Sequence, residues 1–437
     1  MAETAGGAPA KPSVDCDGVL PADTTRKLAI AFRAKTVLAL VFVVSFAALV
    51  GTRFSNSLRG ADFPDFYCAA RMLAEGHGHQ LYDADLQRQY QARYAGRVGT
   101  LYIHPPFEAV IYLTVAWLPL KHAYLLWSLL NLAFLAVGLR RLAKHALPPW
   151  HWSVLLAASL TFVPLLLCLE QGQDSLLLLL LVILAFMALR SERSFAAGCW
   201  LALGLFKFQI VLPLVLVLAL TQPRTARTGI VKGFSLVALA LAGLSAAISG
   251  WSVFIVYPEF LLHLRAQPFA GIAPQAMANL RGLTFFFFRS DLFFGNDHSL
   301  WAAVALTALS AAALLGALIV WKQAHAEFPI RPAAVEKFDL AFANTVLFAL
   351  LVAYHLNPHD LSLLLLPIAL LLHSTLTRKP RLPGPEKWLT LGLLGILFLP
   401  PLHLWALVER EYWLVSIPVL LLFLSGMAIS LTRPASK

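Results

Sequence analysis

Residues 36–51 read TVLALVFVVSFAALVG, and residues 60–70 read GADFPDFYCAA. The first stretch is apolar and, with its flanks, is long enough to cross a lipid bilayer. The second opens a polar region that extends to His104, after which the chain is again mostly apolar. The sequence therefore predicts a membrane protein whose first large loop carries two carboxylates, Asp62 and Asp65.

These two carboxylates allow two interpretations. A carboxylate at the boundary between water and lipid stays ionised more easily than one in hydrocarbon, so it can accept a proton from a reacting group. Either residue taken alone also fits an aspartate that caps a loop or the start of a helix. The sequence of the loop is compatible with both a proton acceptor and a capping residue at these positions.

Composition places the chain in the membrane. It has 437 residues, of which 59% are hydrophobic and 13% charged, whereas soluble domains are roughly 25% charged. The four cysteines are scattered without C-x-x-C spacing, so neither a metal site nor a disulfide framework is expected. The net charge of +11 fits cytoplasmic loops that hold the topology, and no basic run interleaved with aromatics suggests nucleic-acid binding.

Apolar segments predict an all-α polytopic fold with about twelve transmembrane segments. They fall near residues 34–52, 105–120, 122–142, 152–169, 174–190, 195–220, 229–250, 299–321, 338–356, 360–376, 387–405 and 412–431. Basic residues near the N-terminus favour a cytoplasmic start. The predicted organisation is a disordered cytoplasmic tail (1–33), one transmembrane domain (34–432) with outer loops at 53–104 and 251–298, and a short cytoplasmic tail (433–437).

One region conflicts with this topology. With twelve plain crossings, the basic residues at 140–144 and 190–193 would lie outside, and the 170–174 loop would lie inside. A re-entrant 105–120 segment, compensated by a helix in 195–220 that breaks near Lys207 or Pro213, would reverse the intervening helices and satisfy the charge rule. Both topologies remain open at this level.

Several polar residues lie where a purely structural bundle would not need them. Lys207 is deep in an apolar segment, so it must face a cavity, pair with an anion or extend to an interface. Arg281, in the second outer loop, fits either a phosphate contact or a solvated charge. Gln173 lies in the Glu-Gln-Gly-Gln-Asp stretch between two apolar segments, where a plain turn is an equal alternative.

A second polar cluster occurs late in the chain, at His355-Leu-Asn-Pro-His359-Asp360. Two histidines and an aspartate could suggest a metal, but their spacing falls at a helix junction and not on one helical face. Lining of a polar site is favoured over a metal, and helix capping is the remaining alternative. No metal and no cofactor are expected.

Carboxylates in an outer loop, together with cations and histidines among apolar helices, suit transfer from a lipid-linked phosphate. Cations stabilise the departing phosphate, a carboxylate activates the acceptor hydroxyl, and an apolar groove holds the lipid tail. A transporter or flippase of lipid-linked sugars would explain the cavity and buried cations equally well. Composition alone does not choose between these two classes.

Five short blocks resemble one known family, glycosyltransferase family 87. The first is Asp62-x4-Tyr67-x-Ala-Ala followed by Leu-Tyr82-Asp, and the second is Tyr-x-His104-Pro-Pro-Phe with Trp-Leu-Pro. The third runs from Gly-Gln173-x-Ser to Lys207-x-Gln209, the fourth is Met-Ala-Asn279-Leu-Arg281-Gly, and the fifth is His359-Asp360-Leu. The blocks occur in the order that the family shows, and the resemblance extends over about residues 35–375.

The resemblance implies a GT-C fold, and the expected setting is a bacterial plasma membrane. The charge pattern described above places the N-terminus in the cytoplasm and the two long loops, with the expected active site, on the outer face. The resemblance also implies a polyprenyl-phosphate sugar donor, most often mannose, a lipid or glycan acceptor, and inversion at the anomeric carbon. Where the family commonly has Lys-Pro-Gln, this chain has Lys207-Phe208-Gln209, so the motif itself does not supply a helix break.

Site residues follow from the same resemblance. The family's general base, by its distance to the Ala-Ala pair, falls on Asp62, with Asp65 as the fallback. The donor phosphate is expected to meet Arg281, Lys207, His355 and His359. The remaining expected substrate-binding residues are Tyr67, Tyr82, His104, Gln173, Gln209, Asn279 and Asp360.

Overall fold

The computed structural model describes residues 58, 60–147, 151–263, 273–290, 299–326, 332–377 and 384–431. The predicted first span at 34–52 and the predicted tails at 1–33 and 433–437 lie outside these residues. The helices of the first half are α1 (Phe63–Ala74), α2 (Ala84–Tyr90), α3 (Pro106–Ala116), α4 (Leu120–His145), α5 (Trp152–Ser159), α6 (Val163–Gln171), α7 (Ser175–Arg190), α8 (Ser194–Leu203) and α9 (Phe208–Thr221). Those of the second half are α10 (Arg224–Ser249), α11 (Val253–His263), α12 (Leu280–Phe288), α13 (Leu300–Ala326), α14 (Pro332–Val352), α15 (Leu365–Thr377), α16 (Gly384–Leu397), α17 (Pro400–Val408) and α18 (Ser416–Leu431).

The prediction of an all-α polytopic membrane fold is confirmed. The described residues contain helices and no strand. Five of the described helical segments are long and apolar enough to cross a bilayer, and up to eight are if each bent pair counts as one span. Two of the twelve predicted segments are too short to count: α3 has 11 residues and α7 has 16.

Helices α1 and α3 form a compact aromatic layer outside the long helices. The rings of Phe66 in α1 and Tyr112 in α3 stack with centroids 4.6 Å apart. The Tyr67 hydroxyl donates to the Leu118 carbonyl at 2.8 Å, and Arg71 donates to the Ala116 carbonyl at 3.2 Å. Helix α3 therefore packs along α1, and its 11 residues are too few for a full span.

The loop between α6 and α7 is held beside α1. Gly172 adopts a left-handed conformation at φ +67, and a Cβ there would stand 2.5 Å from the Cβ of Phe63. Trp127 of α4 donates to the Gly172 carbonyl at 2.9 Å, and Asn131, one turn further along α4, donates to the Gln173 carbonyl at 3.0 Å. Glycine is needed here because it alone combines this backbone conformation with such close packing.

A break separates α8 from α9, which are bent by 61°. It consists of one short 3-10 turn, Leu205–Lys207, after Gly204. Pro213, one of the two residues from which a break was expected, lies inside α9. The interruption therefore occurs at the lysine, without the proline that the family motif commonly has next to it.

Candidate active site

A cavity of about 150 Å³ lies beside the start of α1 and the break between α8 and α9. Nine of the residues expected at the site line it, which are Asp62, Asp65, His104, Gln173, Lys207, Gln209, His355, His359 and Asp360. Apolar side chains including Phe206, Phe208 and Leu261 complete the wall. Six separate parts of the sequence, from the first outer loop to residue 360, therefore meet at one place.

Asp62 occupies the N-cap position of α1, but its side chain makes no capping hydrogen bond. Instead its Oδ2 accepts a hydrogen bond from Gln173 Nε2 at 2.6 Å. Its backbone N–H donates to Gln171 Oε1 at 3.2 Å. The capping interpretation is therefore wrong for this side chain, which remains partly exposed and lines the cavity.

Asp65, one turn further along α1, is in a different environment. It is only 6% exposed, and Gln91 Nε2 donates to its Oδ1 at 3.0 Å. The Thr100 hydroxyl donates to its Oδ2. These contacts tie α1 to the segment after α2, so Asp65 has a structural role that Asp62 lacks.

Burial raises the pKa of both carboxyl groups. For Asp65 it rises to about 8, with the Thr100 hydrogen bond opposing the shift. For Asp62 burial also raises the pKa, while the hydrogen bond from Gln173 and the charges of Lys207 and Arg97 oppose the shift. A carboxylate with a raised pKa holds a proton more strongly, which suits a general base as long as it is ionised at the working pH.

Lys207 is 2% exposed and is surrounded by acceptors. Its Nζ lies 2.7 Å from Asp360 Oδ1, 3.3 Å from Asp174 Oδ1 and 3.2 Å from Gln173 Oε1. The contacts with Asp360 and Gln173 are hydrogen bonds, and the contact with Asp174 is an ion pair. Of the alternatives left open by the sequence, Lys207 both pairs with anions and faces the cavity.

Asp360 is itself held on both oxygens. Its Oδ1 also accepts from the Ser175 hydroxyl at 2.8 Å, and its Oδ2 accepts from the Asn357 backbone N–H at 3.0 Å. This second contact belongs to a capping box at the start of the 3-10 segment Pro358–Leu364. The sequence left helix capping and site lining as alternatives for the residues around His355 and Asp360. Asp360 does both, because it caps this segment and also lines the cavity.

His104 faces the cavity together with an acid that sequence reasoning missed. Its Nδ1 lies 2.8 Å from Glu108 Oε2, and Glu108 is completely buried in the first turn of α3. Burial lowers the pKa of His104 to about 3, so the imidazole is neutral near pH 7. The available signal was the four-residue spacing from histidine to an acid at the start of an apolar helix.

Four expected site residues do not line the cavity. The guanidinium of Arg281 donates to the Tyr354 carbonyl at 2.6 Å, behind the loop that carries His355. Asn279 caps α12 through Gly282 N–H at 2.9 Å and donates to the Ala353 carbonyl at 2.6 Å. The other two residues are Tyr67 and Tyr82, and both hydroxyls donate to backbone carbonyls. The Tyr82 hydroxyl donates to the carbonyl of His104 at 2.8 Å.

The described residues contain no group of three or more His, Cys, Asp or Glu side chains arranged to hold a metal ion. The polar groups among the residues that line the described cavity are carboxylates, imidazoles, amides, hydroxyls and one ammonium group. Fold and cavity together define a class: a polytopic α-helical membrane protein with a cavity that is lined by carboxylates, imidazoles and apolar side chains.

Residues 102–353, more than half of the chain, match glycosyltransferase family 87, and the chain belongs to that family. It is therefore a membrane glycosyltransferase, and the family predicted from the five blocks is confirmed. Comparison with curated proteins gives no match.

The matched range covers the second, third and fourth blocks, including Gln173 and Lys207. Asp62 precedes this range and Asp360 follows it. The case for Asp62 therefore depends on its position in the cavity and not on the family match.

Proposed function

We propose that this glycosyltransferase moves a hexose, mannose by preference, from a polyprenyl-phosphate sugar to a hydroxyl group of a lipid or glycan acceptor. The transfer inverts the anomeric carbon, with Asp62 as the general base. The proposed setting is the bacterial plasma membrane, with the cavity open to the outer face and the N-terminus in the cytoplasm. Family membership supports the transfer, and the resemblance described above supports the choice of donor.

The single observation that carries the assignment of the base is the orientation of Asp62. Its carboxylate is turned away from the helix that it precedes and into a cavity with one apolar wall. Asp65 has a Gln91 contact on one oxygen and a Thr100 contact on the other. Among the described residues only Gln173 hydrogen-bonds the Asp62 carboxylate, through Oδ2, which leaves Oδ1 for a substrate hydroxyl.

In the proposed reaction the acceptor oxygen attacks C1 of the sugar as its proton passes to Asp62. The bond between C1 and the phosphate oxygen breaks, and its electron pair leaves with the polyprenyl phosphate. The base thus takes one proton per turnover and returns it to water when the product leaves. The apolar side chains of Phe206 and Phe208 offer a surface for the first isoprene units.

Charge on the departing phosphate needs donors close to it. His355 and His359 line the cavity and are the proposed direct contacts. The Nδ1 atom of His355 is buried without a hydrogen-bond partner among the described residues. Lys207 and Arg281 act at longer range in this scheme, because Lys207 is already bound to three acceptors and Arg281 holds the carbonyl next to His355.

The test is turnover by purified protein in detergent or nanodiscs. It is incubated with polyprenyl-phosphate mannose and either a phosphatidylinositol mannoside or a total membrane-lipid extract, and released polyprenyl phosphate and glycosylated lipid are measured. The proposal expects both products in equal amounts. Movement of the intact donor between leaflets without release of polyprenyl phosphate would overturn the proposal in favour of a flippase.

A further inference from the structure

The side-chain amide of Gln173 lies between two charged groups. Its Nε2 donates to Asp62 Oδ2 at 2.6 Å, and its Oε1 accepts from Lys207 Nζ at 3.2 Å. Gln173 is 3% exposed, so water has little access to either end of the amide. Both polar ends of one buried amide are thus satisfied by opposite charges.

We propose that Lys207 and Gln173 are positioning residues for the base: Lys207 fixes the amide so that its NH2 group always faces the Asp62 carboxylate. The inference rests on the proposed function, because it takes Asp62 as the proton acceptor. It gives Lys207 a role in orienting the base in place of a contact with the donor phosphate.

The orientation follows from donor and acceptor chemistry. A lysine ammonium can only donate and an ionised carboxylate can only accept. Rotating the amide by 180° would place its NH2 against Lys207 and its oxygen against Asp62, which would lose two hydrogen bonds to charged groups. Hydrogen bonds to charged groups are stronger than those between neutral groups, so a single amide orientation is populated.

The lysine is in turn fixed from the far side. Asp360 lies 2.7 Å from Nζ and Asp174 lies 3.3 Å from it. Asp360 is anchored by Ser175, at the start of α7, and by the backbone of Asn357. The chain of contacts from Asp360 through Lys207 and Gln173 to Asp62 therefore connects residues 298 positions apart in the sequence (360 minus 62).

Backbone contacts hold the same loop at a second point. The Asp62 N–H donates to Gln171 Oε1 at 3.2 Å, and the Gln173 carbonyl accepts from Asn131 at 3.0 Å. Gln171 thus contacts the main chain of Asp62, whereas Gln173 contacts its carboxylate. This difference supplies a matched control within one loop.

The consequence is electrostatic. The charged groups that act on Asp62 from the described surroundings are Arg97 and Lys207, which favour its ionised form, and Asp360, which opposes it; Asp65 lies on the same helix. The amide hydrogen bond also favours the ionised form and lowers the pKa of Asp62. Without that bond the pKa of Asp62 rises, and the base becomes available only at higher pH.

The test is the pH profile of kcat/KM, which reports the ionisation of the free enzyme. It uses polyprenyl-phosphate mannose and a phosphatidylinositol mannoside with the wild-type protein and two variants, Gln173→Met and Gln171→Met. We expect the acid limb of Gln173→Met to move upward by about one to two pH units, the equivalent of one hydrogen bond to a charged group. The acid limb of Gln171→Met stays in place, whatever happens to its maximal rate.

An unshifted acid limb in folded Gln173→Met overturns the positioning role. If Gln173→Met does not unfold cooperatively, Gln173→Asn carries the test. That variant changes no charge and keeps an amide, but it is one methylene too short to span both Asp62 and Lys207, so an unshifted limb there also overturns the role. Failure of the proposed function is distinct, because it is recognised by full transfer activity of Asp62→Asn.

Discussion

Lys207→Met removes the cation around which Asp174, Asp360 and Gln173 are arranged. The lysine is 2% exposed, Asp360 is 1% exposed and Asp174 is completely buried. Removing one partner of a buried ion pair costs about 3–5 kcal/mol, because the remaining charge is left without compensation. Asp360 keeps the hydrogen bonds from Ser175 and Asn357, which places the expected loss at the lower end of that range.

Thermal unfolding in detergent measures this effect, with a thiol-reactive dye as the reporter. Cys68 and Cys168 are buried free thiols that report unfolding, whereas Cys199 is partly exposed and is replaced by serine in every variant of this assay. The single variant Lys207→Met should unfold at a clearly lower temperature than the wild type. The double variant Lys207→Met with Asp360→Asn should recover part of the loss, because residues in direct contact couple by about 0.5–3 kcal/mol.

Strict additivity of the two substitutions would refute this reasoning, because it would mean that the ion pair contributes nothing beyond its separate members. A wild-type unfolding temperature for Lys207→Met would refute it as well. Asp339→Asn serves as the matched control. Asp339 forms an ion pair with Arg190 at 3.1 Å, and neither residue lines the cavity. The effect of Asp339→Asn should add to that of Lys207→Met, since distant sites are independent.

Two further predictions concern residues around Asp62. The pKa of Asp65 is raised to about 8 from a reference of 3.8, so its contribution to stability is complete below about pH 4 and is lost as the pH rises towards about 8. Asp65→Asn, which mimics the neutral acid, should unfold close to the wild type at pH 4 and exceed it by a margin that grows up to pH 8; equal curves at both values would contradict the shift. Gly172→Ala should lower both the unfolding temperature and the transfer rate, because its Cβ would stand 2.5 Å from Phe63 Cβ next to the base. Gly76→Ala is the control, since Gly76 also has a positive φ but nothing lies within 4 Å of its added Cβ; equal losses in the two variants would show that backbone strain alone is responsible.

The sequence predicts the fold class because long apolar segments have few alternatives in a bilayer. It leaves the path of the chain open in segment 105–120, because hydropathy does not give the length of the helix that forms there. Segment 105–120 is apolar enough to look like a span, yet α3 ends after 11 residues and packs along α1 through aromatic contacts. Hydropathy measures how apolar a segment is, and it does not show whether lipid or an aromatic layer covers it.

For the candidate site, too, the sequence predicts some features and only the fold shows the others. A charged residue inside an apolar segment, such as Lys207, could be recognised because burying it without a partner is costly. Which partner a polar residue takes depends on contacts across more than a hundred residues, as between Gln173 and Asp62. Arg281 shows the opposite case: its charge suggested a phosphate contact, but in the fold its guanidinium holds the Tyr354 carbonyl.

Glu108 was missed because an acid in the first turn of a helix is ordinarily explained by the helix dipole. Only the fold shows that it is completely buried and lies 2.8 Å from His104. A local pattern therefore indicates that such a residue is compatible with its helix. It does not indicate that the residue supports a side chain in the cavity.

Transfer by Asp62→Asn, compared with Asp65→Asn, tests the central claim most directly. Both variants are purified and assayed with polyprenyl-phosphate mannose and a phosphatidylinositol mannoside, and thermal unfolding confirms that each is folded. The account predicts that Asp62→Asn loses about 10²- to 10⁴-fold in rate, the contribution of a general base, while Asp65→Asn stays within a few-fold of the wild type. Full activity of Asp62→Asn with an inactive Asp65→Asn would move the base to Asp65, and full activity of both would contradict the account.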